Sequence, residues 1–185
     1  AQRRNGYTKG AFEWLRKAPW GNPAFAGMFL SLVMFGFIGG ISGVVLGTEQ
    51  LNVLMHNTLY VPGHFHGTVV AGTTLAFMAA TYLVLPLIFQ REIVWPKLAK
   101  IQPYLFGIGV AGISLFMMGA GTLGVSRRHW DISFSDAELS FAHSAGAYLM
   151  MGLNGVFAII AALGGAIFVI VVVCTVLFGK RITGG

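Results

Sequence analysis

Two histidines stand two residues apart in the stretch 56–67, which reads HNTLYVPGHFHG. On an α-helix, side chains at i and i+2 point about 200° apart, so His64 and His66 cannot chelate one metal ion. Helical histidine pairs that share a metal are spaced by three or four residues instead. The spacing favours two separate cofactors, one on each side of a helix roughly 10–12 Å wide. Imidazole is a common axial ligand of haem iron, so two haems flanking one helix would fit the pattern.

A less specific interpretation of the two histidines also stands. Histidines near a membrane–water interface can simply form hydrogen bonds to water or to neighbouring groups. Two of them at the mouth of a segment without formal charge weaken that interpretation, because ionisable residues within a membrane are functional by default. The spacing alone leaves both haem ligation and simple hydrogen bonding open.

The composition of the chain is that of an integral membrane protein. Of its 185 residues 56% are apolar and only 10% are charged, against roughly 25% charged residues in an average soluble domain. The mean hydropathy is +0.75. A disordered chain would show the opposite balance, and the single cysteine, Cys174, excludes a disulfide scaffold. A net charge of +6 would suggest nucleic-acid binding in a soluble protein, but here we attribute it to membrane topology and expect no nucleic-acid partner.

Four apolar segments are long enough to cross the roughly 30 Å of bilayer hydrocarbon as helices. They cover residues 24–47, 64–89, 101–125 and 148–178. Lipid offers no partner for backbone polar groups, so we expect an all-α membrane protein. Its four-helix transmembrane domain would cover residues 24–185, after an interfacial lead-in over 1–23 that does not have the form of a signal peptide. The chain has no initiator methionine, so we expect a processed product or a piece of a longer protein.

The basic residues orient the four segments. Every Lys and Arg except Arg127 and Arg128 lies before the first segment, between the second and third, or after the fourth. The positive-inside rule then predicts that both termini are cytoplasmic. Arg127 and Arg128 run against this bias, and an anionic ligand such as a haem propionate would account for them. A solvated pair, or pairing with the nearby Asp131, Asp136 and Glu138, is the alternative.

The stretch 56–67 resembles the haem-ligand segment of subunit I of the haem–copper oxygen reductases. Residues 12–16 (FEWLR) and 19–25 (PWGNPAF) resemble the B-type branch of that superfamily, and Arg127-Arg128 falls where the family has its propionate-binding arginine pair. The resemblance covers nearly the whole chain. It implies that the four helices correspond to the last four of the usual twelve-helix core.

The resemblance also implies roles for the central residues. His64 would be the axial ligand of the high-spin haem, where oxygen binds. His66 would be one of two axial ligands of the low-spin haem. Phe65 would lie between the two haems on the route of the electrons.

Further roles follow for the residues around the propionates. Arg127 and Arg128 would hold propionates, and His56 and Asn57 would lie near those of the high-spin haem, where pumped protons leave. Family members often have an acidic residue four positions before His56, where this chain has Asn52. An amide cannot exchange a proton at neutral pH, so a proton-loading role would fall to His56 or to a propionate.

The resemblance implies partners as well. The family needs three further histidines for the copper CuB, a tyrosine joined to one of them, and the second ligand of the low-spin haem. All belong to upstream helices, so we expect the N-terminal half of subunit I as a partner, with a copper-containing subunit II. The implied activity is that of a cytochrome c oxidase-type oxidoreductase in a prokaryotic plasma membrane. It would reduce oxygen to water, translocate protons and take electrons from cytochrome c or quinol.

Three alternatives stay open at this point. The chain could belong to a quinol oxidase or a nitric oxide reductase of the same superfamily. It could be part of a di-haem electron carrier without oxygen chemistry. It could also be a structural membrane subunit that assembles without haem.

Overall fold

Helices make up the architecture of the chain in a computed structural model that describes residues 10–128 and 142–182. Four helices are long and apolar enough to span a membrane: α2 (Pro23–Gly47), α4 (Tyr60–Phe89), α5 (Pro96–Thr122) and α6 (Ala145–Phe178). Two short helices, α1 (Glu13–Arg16) and α3 (Glu49–Met55), precede α2 and α4. The predicted all-α fold with four membrane helices is confirmed. Part of the lead-in, residues 1–9, and the stretch 129–141 with its three acidic residues lie outside the described residues.

The helix starts follow from local capping chemistry. At the start of α2 the side chain of Asn22 accepts hydrogen bonds from the backbone N–H groups of Ala24 and Phe25, and Pro23 occupies the first helical position. At the start of α6 the Ser144 hydroxyl accepts the N–H of Ala147 at 3.3 Å. These caps satisfy backbone donors that the helices themselves leave without partners.

Two of the four membrane helices contain a π-helical segment. In α2 it covers Met34–Gly40 and in α4 it covers His66–Thr74, and the two segments pack against each other. Gly39 makes this approach possible, since a Cβ there would lie 2.5 Å from the Thr68 methyl group. Such π-turns are rare inside helices and often accompany functional sites. The π segment of α4 begins at His66.

Helix α5 is the central element of the bundle. Half of the most apolar 18-residue stretch of α5 is buried, against 17% of the corresponding stretch of α6. Helix α5 packs against α2, α4 and α6. Close contact depends on small residues, because a Cβ on Gly109 would collide with the backbone of Ala161 in α6, and one on Gly121 with the backbone of Tyr60 in α4. The main apolar cluster combines residues of all four helices: Met34, Ala71, Leu75, Phe106, Val110 and Ala161.

Short backbone pairings join the helix ends at both ends of the bundle. At one end Leu59 N–H donates to the carbonyl of Val125 at 2.8 Å, so the start of α4 is joined to the end of α5. At the other end, Ile182 N–H donates to the Gln90 carbonyl at 2.9 Å. There the Arg91 guanidinium also donates to the carbonyl of Gly179 at 2.7 Å, which joins the end of α4 to the end of α6.

The contact between α5 and α6 gives a stability prediction. Gly109→Ala should lower the free energy of unfolding by about 1–3 kcal/mol, the usual cost of overpacking, because the new Cβ meets the Ala161 backbone. Thermal unfolding in detergent measures the change. Gly155→Ala in α6 is the control, since nothing lies within 4 Å of its Cβ position, and it should leave the unfolding temperature unchanged or slightly raised. Equal destabilisation by both variants would contradict the packing argument.

Candidate functional site

The two histidines of the central motif lie in the first two turns of α4, which begins at Tyr60. The sequence places the start of this segment at about His64, but the structure extends the helix back to Tyr60. Pro62 fits there because a proline in the first turn replaces an N–H that would have no intrahelical partner. Both histidines are therefore held on helical backbone and not on a loop, His64 in the α-helical part and His66 at the first residue of the π segment.

His66 has a defined tautomer. Its Nδ1 atom lies 2.7 Å from the carbonyl oxygen of Pro62, one turn earlier in the same helix. A carbonyl oxygen only accepts, so Nδ1 carries the ring proton and the lone pair is on Nε2. Nε2 makes no hydrogen bond within the described part of the chain. His66 is thus prepared to ligate a metal through Nε2.

His64 turns towards α2 instead. Its Nδ1 atom lies 2.8 Å from the hydroxyl oxygen of Ser42, and its ring also interacts with the backbone of Gly39. Gly43 provides the space for the ring, because a Cβ at that position would lie 3.2 Å from the Cε1 atom of His64. As in His66, the Nδ1 edge is engaged by the protein and Nε2 forms no hydrogen bond to the described residues.

Phe65 lies between the two histidines in sequence and is open to the outside of the bundle. Its side chain is 55% exposed, and its ring centroid lies 5.6 Å from that of His64. An exposed aromatic ring is ordinary on a lipid-facing surface. Here it lies beside the His64 imidazole, so a flat cofactor held by that histidine would lie close to it.

The loop before α4 and the end of α5 meet at Asn57 and Arg127. The Arg127 guanidinium donates to the Asn57 side-chain oxygen at 2.8 Å, and the Arg127 N–H donates to the Asn57 carbonyl at 2.8 Å. Thr58 and Ser126 form an isolated antiparallel bridge beside this pair. Asn57 and Arg128 both have left-handed backbone, with φ of 62° and 70°, a conformation that non-glycine residues other than Asn and Asp adopt rarely.

The two arginines differ in their surroundings. Arg127 is partly buried, and its Nε–H is buried without a hydrogen-bond partner among the described residues. Arg128 is exposed. A buried guanidinium donor without an acceptor is costly, so the structure leaves Arg127 with an unfilled capacity to bind an anion.

His56 and Asn52 share an open depression of about 550 Å³, lined also by Gly47, Glu49 and Val53. His56 is exposed, and its backbone N–H donates to the Asn52 carbonyl at 2.7 Å. Neither His64 nor His66 lines this depression. The sequence thus presents as one group residues that the structure divides in two: a histidine pair on α4, and a separate region formed by α3 and the loop that follows it.

No group of three or more His, Cys, Asp or Glu that could hold a metal ion occurs in residues 10–128 and 142–182. Each histidine of the motif can thus supply a single ligand.

Sequence reasoning did not identify Ser42. It lies 22 residues from His64 on another helix, and a serine in an apolar segment gives no signal in the sequence.

Comparison with known proteins agrees with the motif. A family model described as cytochrome C and quinol oxidase polypeptide I matches residues 8–167. Cytochrome c oxidase subunit 1 of Thermus thermophilus is 34% identical over 158 residues, which cover 84% of this chain and 27% of that protein. Subunit 1 of Synechocystis sp. is 30% identical over 128 residues, or 68% of this chain and 22% of the relative. The chain spans less than a third of either relative.

The fold is similar to a haem–copper terminal oxidase dimer solved by cryo-electron microscopy. The TM-score is 0.83 at 28% sequence identity, and the match covers 98% of this chain and 32% of that chain. The resemblance seen in the motif is confirmed, and four apolar helices identify an integral membrane protein. This chain belongs to the family of cytochrome c and quinol oxidase polypeptide I, the subunit I family of the haem–copper oxidases, and corresponds to part of that subunit.

Proposed function

We propose that this chain provides axial ligands to two haems in a respiratory terminal oxidase. His64 would ligate the high-spin haem and His66 the low-spin haem. The observation that carries the proposal is the matching state of the two rings: both Nδ1 atoms are engaged by the protein, and both Nε2 atoms make no hydrogen bond to the described residues. Because the rings leave the helix on opposite sides, each can serve its own iron.

The residues around the histidines fit haem groups. Phe65 offers an exposed aromatic ring beside that of His64, and Gly43 leaves space for the His64 ring. Haem, when bound, supplies the electron transfer and the oxygen chemistry. The protein orients the two imidazoles, and Phe65, which lies between them in the sequence, would stand on the route of the electrons.

Arg127 and Arg128 are proposed to hold haem propionates. The support comes from Arg127, whose buried Nε–H lacks an acceptor among the described residues while its Nη2 is held by Asn57. A carboxylate would complete the donor set of this guanidinium. Asn57 then acts as the residue that orients Arg127, and His56 lies next to it on the exposed side, where a proton could leave.

The proposed activity is the reduction of oxygen to water coupled to proton translocation. The copper CuB, its histidines and tyrosine, and the second ligand of the low-spin haem would come from the rest of subunit I, beyond these 185 residues. A copper-containing subunit II would deliver electrons from cytochrome c. The complex would lie in a prokaryotic plasma membrane with both termini of this chain in the cytoplasm, as the basic residues suggest.

Quinol is the second candidate electron donor. The matching family description names both cytochrome c and quinol oxidases, and its common fold does not distinguish the two donors. Oxygen uptake by the purified complex, measured with reduced cytochrome c and separately with a quinol, decides between them. The expected donor is cytochrome c. Uptake with quinol alone would assign the complex to the quinol oxidases.

The ligand assignment predicts separate spectral losses. In the purified complex, His66→Ala should remove the low-spin band from the reduced-minus-oxidised spectrum, and His64→Ala should abolish the carbon monoxide difference spectrum. Thr81→Ala on the same helix is the control, since its hydroxyl bonds only to its own helix at the Phe77 carbonyl. Normal spectra in both histidine variants would refute the assignment. A wild-type complex without haem would indicate a structural subunit.

The propionate assignment predicts weaker haem retention. Arg127→Leu should lower haem affinity by about 10-fold or more, as loss of outer-shell partners usually does, because a propionate loses its cation. Arg127→Lys should retain part of the affinity, since lysine keeps the charge without the bidentate geometry. Lys97→Leu, an exposed cation at the start of α5, is the charge-matched control. Haem content measured after detergent dilution tests this, and unchanged retention in Arg127→Leu would exclude the role.

A further inference from the structure

We propose that Ser42 is a positioning residue for His64: its hydroxyl accepts the Nδ1–H of the imidazole and thereby strengthens the donation of Nε2 to the iron. This inference rests on the proposed ligation of haem by His64. It adds a residue on another helix as the group that sets the strength of that ligand.

The contact between Ser42 and His64 is direct and shielded. The Ser42 hydroxyl oxygen lies 2.8 Å from His64 Nδ1, and the serine is only 3% exposed. It belongs to the first α-helical turn after the π segment of α2. Buried polar groups keep the hydrogen bonds that they can form, so the contact between this hydroxyl and this ring nitrogen is retained.

The direction of this hydrogen bond follows from the other contacts of the serine. Its hydroxyl forms a short hydrogen bond to the carbonyl of Ile38, and the Gly39 carbonyl lies at 3.1 Å. A hydroxyl has a single proton and a carbonyl only accepts, so this proton goes to the backbone of α2. The oxygen is then an acceptor towards His64, and Nδ1 must be the donor.

The opposite direction would block the proposed function. If Ser42 donated its proton to Nδ1, the ring proton of a neutral His64 would be on Nε2, and Nε2 could not ligate iron. The carbonyls of Ile38 and Gly39 therefore select the tautomer that ligation needs. Gly43 completes the arrangement, because its missing side chain lets the ring come close enough to Ser42.

The two consecutive hydrogen bonds, from His64 to Ser42 and from Ser42 to the backbone, also affect how strongly Nε2 would bind the iron. A hydrogen bond from Nδ1–H to an acceptor raises the basicity of the imidazole. An oxygen that itself donates to a carbonyl is a better acceptor than an isolated hydroxyl. A more basic ligand stabilises ferric iron, so loss of the Ser42 hydroxyl should weaken the iron–Nε2 bond and raise the midpoint potential of this haem.

The test uses the purified complex with Ser42→Ala. Resonance Raman spectra of the ferrous high-spin haem should show the iron–Nε2 stretching band at lower frequency, and redox titration should give a higher midpoint potential at unchanged haem content. Ser42→Thr keeps the hydroxyl and should restore both values. The matched control is Ser31→Ala, because Ser31 is equally buried in α2 but donates only to the Met28 carbonyl at 2.7 Å. It should change neither value.

Two results separate this inference from the proposed function. A wild-type stretching frequency and potential in Ser42→Ala, with the haem present, would overturn the role of Ser42 and leave the ligation by His64 intact. A carbon monoxide-binding haem that survives in His64→Ala would overturn both. If Ser42→Ala does not assemble, Ser42→Cys is measured instead, since a thiol of similar size is a weak acceptor and should shift both values in the same direction.

Discussion

The site depends on the engagement of Nδ1 in two neighbouring histidines. In His66 the Nδ1 atom is hydrogen-bonded within its own helix, to the Pro62 carbonyl. In His64 the Nδ1 atom is hydrogen-bonded to Ser42 of α2. The His66 ring is thus oriented as soon as α4 forms, and the His64 ring only after α2 and α4 have packed together. The π segments and Gly39 permit that close packing. They also contain His66 itself and the two carbonyls that lie against the Ser42 hydroxyl.

The membrane fold could be predicted from the sequence because its main signal is local. Long apolar segments without charge require helices in lipid, and the confirmed four-helix arrangement follows from that requirement. The sequence also limits the chemistry that the motif could perform, since the spacing of His64 and His66 alone excludes a shared metal ion. Both arguments use only residues that are near each other in the chain.

Other features could not be predicted because they arise between helices. The π segments of α2 and α4 pack on each other, and the sequence of neither segment has a periodicity that indicates a π-helix. The contact of Ser42 with His64 joins residues 22 positions apart. Likewise, the pairing of Asn57 with Arg127 spans 70 positions. The sequence marks the arginines by their charge, which opposes the topology, and by the family resemblance, but gives no sign of this contact. The start of α4 at Tyr60 could not be predicted for a different, local reason, since proline is compatible with either a break or a first turn.

The backbone pairings at the two ends of the bundle have a mechanical consequence. Leu59 is joined to Val125 at one end of α4, and Gln90 to Ile182 at the other. Neither α5 nor α6 can slide along the axis of α4 without breaking one of these connections. These connections keep α5 and α6 in fixed register with α4. A change of membrane thickness that the bundle accommodates by tilting would therefore move the two imidazoles together.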